Sequence, residues 1–404
     1  MGEKNKKVGI VSCYFHHNYG SMLQALATQM ALDKLGYENE TIKISGFNDE
    51  IKKAKIRYFI KASLTSDILL SKVGMAKNVL RKKFLKNDYA KLSALRNKKF
   101  DTFSRKHFKL SEKYSSKADL SAKCETKYSA VVVGSDQLWL PANIAADYYT
   151  LTFVPKNVNS IAYSTSFGQS SLPKDIAEKA KKFLNNIKHL SVREESGQKL
   201  IQQLSTRNVP LVCDPTLLFT GDDWMSIQQK KRIVKESYIF CYFLGNNPPH
   251  RKFAKKLRTA TGCKIVALTH LDEYVKCDVS YADETPYEID PADFLNLIRN
   301  AEYICTDSFH CTVFSILYRK AFFTFRRYEK KTKPSTNSRI DTLFHISGIK
   351  DRLMSGTEET NDVLAIHTDF DKVHERLQQM REKSFGYLIQ ALNDERSTDL
   401  DSYI

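Results

Sequence analysis

The sequence predicts an α/β protein of two domains with a cleft between them. Short apolar strand segments alternate with helical segments along the chain, an order typical of parallel sheets built from βαβ units. A polar and basic stretch at 221–236 divides these segments into two series. The 404 residues exceed one ordinary hydrophobic core and suit two domains of roughly 150–200 residues each.

The first series of segments predicts an N-terminal domain over 1–225. It opens with an apolar strand at 7–12, followed by a polar loop and an amphipathic helix that ends at Gly36. The other strands predicted in this domain are 40–45, 128–133, 160–164, 189–192 and 209–212.

The second series predicts a C-terminal domain over 236–360. Its predicted strands are 238–244, 264–268, 303–306 and 322–325. Beyond residue 360, apolar positions recur at helical spacing, which predicts a helical tail over 361–404 that packs back onto the first domain.

The net charge of +17 is concentrated in residues 51–110, which hold 18 Lys or Arg and only 3 Asp or Glu. Apolar positions lie among these charges and predict a basic helical insertion in the N-terminal domain. Three interpretations of its basic face stay open: contact with anionic lipid, simple solvation, or nucleic acid binding. No nucleic-acid-binding motif supports the third, so no nucleic acid partner is expected.

Several protein classes are disfavoured by the composition. No stretch approaches the roughly 18–20 uninterrupted apolar residues of a membrane span, and the first residues lack an apolar signal segment, so a cytoplasmic location is expected. The eight cysteines are scattered singly without paired spacing, so neither a disulfide framework nor a metal site is expected.

Polar clusters stand where predicted strands end, and ligands of parallel α/β sheets bind at that edge. One cluster runs through Asn18, Tyr19 and Gly20 into the first helix, where backbone N–H groups can receive an anion, although Ser21 could simply cap that helix. A second cluster, Gly134 to Trp139, would turn Asp136 toward the cleft, or form only a capped turn.

Two further clusters carry cationic and titratable side chains. Arg193 ends a predicted strand and could bind a carboxylate or phosphate bidentately, or pair with Glu194 or Glu195. The turn at 306–310 holds Asp307, Ser308 and His310; the alternative is that Ser308 caps the next helix and His310 packs. Arg339 opens a later helix and could turn toward the same cleft, and Arg326 and Arg327 are further candidates.

The chain contains no G-x-G-x-x-G, Walker A or G-x-S-x-G motif. Their absence argues against a dinucleotide oxidoreductase, a P-loop kinase and an α/β-hydrolase. A cleft with Arg and His but no glycine-rich phosphate loop suits a small anionic substrate held by side chains.

The ordered set of motifs resembles the polysaccharide pyruvyl transferase family. The matching segments are NYGSMLQALA at 18–27, VVVGSDQLW at 131–139, SVREESG at 191–197, CDPTLLF at 213–219, TDSFHCTVFSI at 306–316, and SRIDTLF at 338–344 followed by Asp351 and Arg352. They occur in family order and span most of the chain, except the basic segment 51–110.

The resemblance implies a glycosyltransferase-B-like fold of two Rossmann-type domains. It implies transfer of an enolpyruvyl-derived group from phosphoenolpyruvate to a sugar, forming a pyruvate ketal and releasing phosphate. Phosphoenolpyruvate would be a co-substrate, with no cofactor, and the acceptor a polyprenyl-linked or free oligosaccharide of a capsule, exopolysaccharide or wall polymer. The basic segment would then meet the anionic inner face of the cell membrane.

The resemblance also assigns residues. Arg193 matches an arginine and His310 the histidine that hold phosphoenolpyruvate in the family, and some members carry an arginine where this chain has Ser308. Either Arg339 or another basic residue supplies that charge, or the donor differs. We expect His310 to act as acid/base or as a cation, and Asp136 or Asp307 to assist an acceptor hydroxyl. The substrate-binding candidates are Arg193, Ser308, Arg339, Asn18, Tyr19, Gly20, Gln24, Ser135 and Gln137.

Two other functions stay open. A nucleotide-sugar glycosyltransferase of the same fold would share the cleft but bind a nucleotide. A binding or scaffold protein without activity would account for the missing arginine, although retention of Arg193, His310 and Asp136 argues against it.

Overall fold

The computed structural model describes residues 6–63, 88–270, 275–278, 280–327 and 338–394. The part of the predicted basic insertion at 64–87 lies outside the described residues.

The N-terminal domain is built on a six-stranded parallel sheet with the order β3-β2-β1-β4-β5-β6. Its strands are β1 (Lys7–Val11), β2 (Asn39–Lys43), β3 (Leu110–Lys113), β4 (Tyr128–Val133), β5 (Asn159–Ala162) and β6 (His189–Leu190). Its helices are α1 (Tyr19–Lys34), α2 (Asn48–Ser63), α3 (Asp88–His107), α4 (Lys117–Lys127), α5 (Pro141–Ala146), α6 (Lys174–Asn186) and α7 (Glu195–Ser205). This strand order is that of the Rossmann fold.

The C-terminal domain is built on a five-stranded parallel sheet with the order β11-β10-β9-β7-β8. Its strands are β7 (Tyr238–Tyr242), β8 (Lys264–Leu268), β9 (Tyr303–Thr306), β10 (Ala321–Phe325) and β11 (Leu353–Met354). The helices that follow are α8 (Pro248–Thr261), α9 (Pro291–Asn300), α10 (Phe309–Leu317), α11 (Ser338–Ser347), α12 (Thr360–Leu364) and α13 (Phe370–Leu392). The prediction of two α/β domains with parallel sheets is confirmed.

Each sheet has one point at which the strand order reverses, and ligands bind at such points in open α/β sheets. In the first sheet this point lies between β1 and β4, and in the second between β7 and β9. The loops that leave β1, β4 and β9 carry three of the predicted polar clusters, and Arg193 follows β6, so the topology brings the clusters to the carboxyl edges of both sheets.

A shared hydrophobic core joins the two domains. The ring of Tyr19 in α1 stacks on Phe294 of α9 with 4.7 Å between centroids, and its hydroxyl donates to the carbonyl of Ile289 over 3.2 Å. Arg96 in α3 reaches the second domain, where its guanidinium donates to the carbonyl of Thr269 over 3.0 Å and lies 4.8 Å from the ring of Tyr287. Helix α3, in the basic segment, therefore packs between the domains.

The last helix, α13, returns to the N-terminal sheet. The Tyr387 hydroxyl donates to the carbonyl of Ala162 over 3.1 Å, and the Asn159 amide donates to the carbonyl of Ala391 over 2.6 Å. Among the described residues, no helix is both long enough and apolar enough to cross a membrane.

Candidate active site

The centre of the site is the guanidinium of Arg193, which follows β6 and whose side chain is 1% exposed. Its Nη1 donates to the Asp214 carboxylate over 2.5 Å and to the Ser135 hydroxyl over 3.1 Å. Its Nη2 lies 3.4 Å from Asp136 Oδ1. Of the partners considered from sequence, Glu194 has its carboxylate 3.7 Å from Nε, while Glu195 pairs with His345 instead.

Asp214 is a member of this cluster to which the sequence reasoning gave no role. One of its carboxylate oxygens accepts from the Thr216 backbone N–H and hydroxyl, which caps the short 3₁₀-helix Pro215–Leu218. The other accepts from Ser135 and Arg193. Burial opposes ionisation, but His310 and Arg193 hold the pKa of Asp214 well below its usual range. The Asp-Pro-Thr triplet within the CDPTLLF motif is the sequence feature from which a role for Asp214 could have been predicted.

Asp136 occupies the turn after β4 with φ of 83°, in the left-handed region that non-glycine residues rarely adopt. Its Oδ2 accepts from the Ser21 hydroxyl over 2.6 Å, and its Oδ1 accepts from the backbone N–H of Gln137 over 2.9 Å. Burial again opposes ionisation, yet Arg193 and His310 lower the pKa of Asp136 well below its usual range. Asp136 is therefore an ionised carboxylate held at an unusual backbone geometry, as often occurs at functional sites.

His310 stands in the first turn of α10 and is 6% exposed. Its Nε2 lies 3.6 Å from Asp214 Oδ2 and has no hydrogen-bond partner among the described residues. The ring packs on Gly20 of the other domain so closely that a Cβ at Gly20 would lie 2.1 Å from Nδ1. The structure thus brings the first predicted cluster to His310, and the imidazole ring packs directly against the backbone of Gly20.

Arg339 begins α11 and turns toward the same site, as the sequence suggested. Its guanidinium lies 5.7 Å from the Phe309 ring, and the guanidinium of Arg193 lies 4.9 Å from that ring. Its Nε is buried and has no hydrogen-bond partner in the described part of the chain. Burial and the neighbouring charge of Arg193 lower the pKa of Arg339 to about 10. An anion bound here would relieve both penalties.

Asp307 and Ser308 are engaged by the backbone. The Asp307 carboxylate accepts from the N–H groups of Leu244 and Gly245 over 2.6 and 2.8 Å, which fixes the loop after β7. The Ser308 hydroxyl caps α10 by accepting from the backbone N–H of Cys311. Arg327 lies beside Asp307, with Nε 3.7 Å from Oδ1. The helix-cap alternative for Ser308 is the one that the structure supports.

The other candidates lie around this centre. Asn18 caps α1 by accepting from the Ser21 N–H over 3.1 Å, and Tyr19 belongs to the interdomain core. The Gln24 amide donates to Cys13 Sγ, and its own oxygen is buried with no hydrogen-bond partner in the described ranges. Gln137 lies against Gly168. Within the described ranges, no group of three His, Cys, Asp or Glu residues is arranged to hold a metal ion.

The model of the family described as "Polysaccharide pyruvyl transferase" matches residues 18–327 of the chain. That range holds every candidate site residue predicted from the sequence except Arg339. No curated protein shows a significant match.

Two solved structures of low sequence identity are similar to the chain over most of its length. A UDP-N-acetylglucosamine 2-epimerase is 11% identical, with a TM-score of 0.51 and alignment over 98% of this chain and 99% of that one. The UDP-GlcNAc 2-epimerase from Neisseria meningitidis, bound to UDP-GlcNAc, is 9% identical, with a TM-score of 0.48 over 96% and 100%. The predicted glycosyltransferase-B-like fold is confirmed, and at this identity the likeness concerns the fold alone.

Proposed function

Because the chain belongs to the polysaccharide pyruvyl transferase family, we propose that it transfers a pyruvyl group from phosphoenolpyruvate to a sugar of a cell-surface polysaccharide precursor such as a capsule or exopolysaccharide unit. The product is a pyruvate ketal, and phosphate is released. The observation that carries this proposal is the Arg339 cation, which is half-buried over the Phe309 ring that Arg193 also contacts and whose Nε has no hydrogen-bond partner among the described residues.

The donor's charges fit this site. Phosphoenolpyruvate carries a phosphate and a carboxylate, and guanidinium groups bind both geometrically well. Arg339 Nε has no hydrogen-bond partner among the described residues and can donate to the donor, whereas Arg193 already donates to Asp214 and Ser135. Arg339 thus takes the role of the arginine that some family members carry at the position of Ser308. Arg193 contributes its charge and positions Asp136.

The residues can also move protons. The donor's C3 gains a proton, a sugar hydroxyl oxygen bonds to C2, and a second hydroxyl oxygen replaces phosphate at C2. One hydroxyl proton balances the proton gained at C3, and the other leaves with phosphate. We assign the acid/base role to His310, whose Nε2 makes no hydrogen bond to any described residue, and we assign to the ionised Asp136 the acceptance of a hydroxyl proton or hydrogen bond. Asp307 has both oxygens on backbone N–H groups, so we assign it a positioning role.

We further propose that the protein works in the cytoplasm, at the inner face of the cell membrane, on a polyprenyl-linked or free oligosaccharide. Helix α2 exposes Ile56 and Ile60, each 56% exposed, on the same side as Lys52, Lys53 and Arg57. Exposed apolar side chains surrounded by cations fit the headgroup region of an anionic bilayer. The proposed reaction needs no resident cofactor.

Calorimetric titration of the wild-type protein with phosphoenolpyruvate, UDP, GDP and CMP tests the donor. We expect phosphoenolpyruvate to bind and the nucleotides not to bind. Binding of a nucleotide without phosphoenolpyruvate would instead assign a nucleotide-sugar glycosyltransferase, and binding of neither would favour a scaffold.

A further inference from the structure

A groove of about 570 Å³, lined mostly by residues with polar side chains, runs between α7 of the N-terminal domain and α11 of the C-terminal domain. Six side chains define its chemistry: Glu195, Lys199, Gln203, Asp341, Thr342 and His345. No described residue of the donor site lies among them. The groove is thus a second space, with both domains as its walls.

The groove begins next to the two arginines. Glu195 follows Arg193 by two residues, and Ser338 directly precedes Arg339. The hydroxyl of Ser196 lies 3.1 Å from that of Ser338 and joins the two walls at this end. Both helices start at this end of the groove, next to Arg193 and Arg339, so a ligand in the groove would reach toward the group that the arginines hold.

The charges of the groove are balanced. The carboxylate of Glu195 lies 3.0 Å from His345 Nδ1, and that of Asp341 lies 2.7 Å from Arg326. Lys199 also lines the groove and adds a cation that has no ion pair within the described part of the chain. A bound polyanion would meet carboxylates on both walls, and an apolar ligand would strip water from all these groups without replacing its hydrogen bonds.

We propose that this groove is the acceptor subsite and binds a neutral, hydroxyl-rich saccharide. Carboxylates accept hydrogen bonds from sugar hydroxyls, Lys199 donates to sugar oxygens, and Gln203 and Thr342 can do both. The volume lies within the roughly 300–1,000 Å³ of typical small-molecule sites and admits a short saccharide. The assignment as acceptor rests on the proposed function, because the ketal must form at hydroxyls that reach the donor's C2.

Two glutamines of α7 provide a matched test. Gln203 lines the groove, whereas the adjacent Gln202 is exposed and does not. Both Gln203→Trp and Gln202→Trp should fold, because each replaces an exposed side chain. Binding of methyl glycosides of the common hexoses and N-acetylhexosamines would be measured by saturation-transfer NMR on the wild type and both variants. Each protein would be measured once without phosphoenolpyruvate and once at a saturating concentration of it.

We expect at least one glycoside to bind the wild type and Gln202→Trp. In Gln203→Trp its affinity should fall at least about tenfold, which corresponds to a loss of about 1.4 kcal/mol of binding free energy. Phosphoenolpyruvate binding should be unchanged in both variants. Glycoside binding that survives in Gln203→Trp, or no binding by any glycoside to the wild type, would overturn the acceptor subsite while leaving donor binding intact. Glycoside binding in the groove without any phosphoenolpyruvate binding would instead overturn the proposed function alone.

Discussion

At the scale of single residues, the buried guanidinium of Arg193 organises the site by contacting several carboxylates. Arg193 contacts Asp214, Asp136 and Glu194, and the Asp214 and Ser135 side chains are themselves joined over 2.9 Å. Removing one partner of a buried ion pair leaves a desolvated charge and typically costs about 3–5 kcal/mol. Arg193 variants therefore test stability as much as binding, and Arg339 is the better residue for a binding experiment.

The contact between Gly20 and His310 gives a first prediction. In Gly20→Ala, the new methyl group would lie 2.1 Å from Nδ1 and force the imidazole to move. We expect turnover to fall by about a hundredfold, the effect that a misplacement near 1 Å can have. Steady-state phosphate release measures it.

Gly386 provides the control, since it is also helical and a Cβ there would meet nothing within 4 Å. Gly386→Ala should keep full turnover and gain roughly 0.5–1 kcal/mol of stability. Unchanged turnover in Gly20→Ala would mean that His310 is not the acid/base.

The carboxylates predict an acid-sensitive fold. The pKa of Asp214 is lower in the folded chain than the value of about 3.9 of an unfolded aspartate, so folding stabilises its ionised form. That contribution is complete above about pH 5 and is lost as the pH falls through about 4 and below. Thermal unfolding between pH 6 and pH 3 should show the decline, and Asp214→Asn should show a shallower one. An equal slope in both proteins would contradict the assignment.

At the scale of elements, burial decided which strands could be predicted. The predicted ranges 128–133, 264–268 and 303–306 coincide with β4, β8 and β9, which are almost wholly buried and therefore read as continuous apolar runs. The strands β3 and β11 were not predicted. They are short edge strands, and β3 has only one buried residue.

One predicted strand is wrong. Residues 209–212 form only a single parallel bridge, between Val192 and Leu211. Pro210 has no backbone N–H to donate to a neighbouring strand, which interrupts the ladder at that point.

The site could be predicted in part. The sequence predicted Arg193, Asp136 and His310 at the ends of strands, and the structure brings these residues together. The contact of Asp307 with Gly245 could not be predicted from the sequence, because the two residues are 62 positions apart and meet only when β7 and β9 pair. The contact of His310 with Gly20 forms only when the two domains pack together.

The exposed face of α2 gives a prediction at the same scale. Ile56→Asp places a carboxylate among cations and removes an apolar contact, so sedimentation with vesicles of anionic phospholipid should fall at low salt. Ile389→Asp is the matched control, since Ile389 is 41% exposed on α13. Equal sedimentation of both variants and the wild type would exclude α2 as the membrane contact.

The two domains form one continuous structure at the scale of the whole molecule. Arg96, Tyr19 and the Gly20–His310 contact all cross between them, and α13 returns to the first sheet. The site therefore depends on interdomain packing, which holds side chains from both sheets in register.

Loss of the Arg96 contact should loosen this arrangement. Arg96→Met keeps part of the apolar stem but removes the hydrogen bonds to Thr269, so we expect a lower melting temperature and a larger radius of gyration by X-ray scattering. Arg105→Met, on the same helix and exposed, should leave both values unchanged. A radius of gyration unchanged in Arg96→Met would show that the hydrophobic core alone holds the domains together.

The central claim is that Arg339 and its neighbours hold phosphoenolpyruvate, and calorimetric titration of Arg339→Gln tests it most directly. We expect affinity to fall roughly 10- to 100-fold, since hydrogen bonds to charged groups contribute about 1.5–3 kcal/mol. Arg319→Gln, at an exposed arginine paired with Asp371, should bind as the wild type does. Full affinity in Arg339→Gln would contradict the assignment of the donor site.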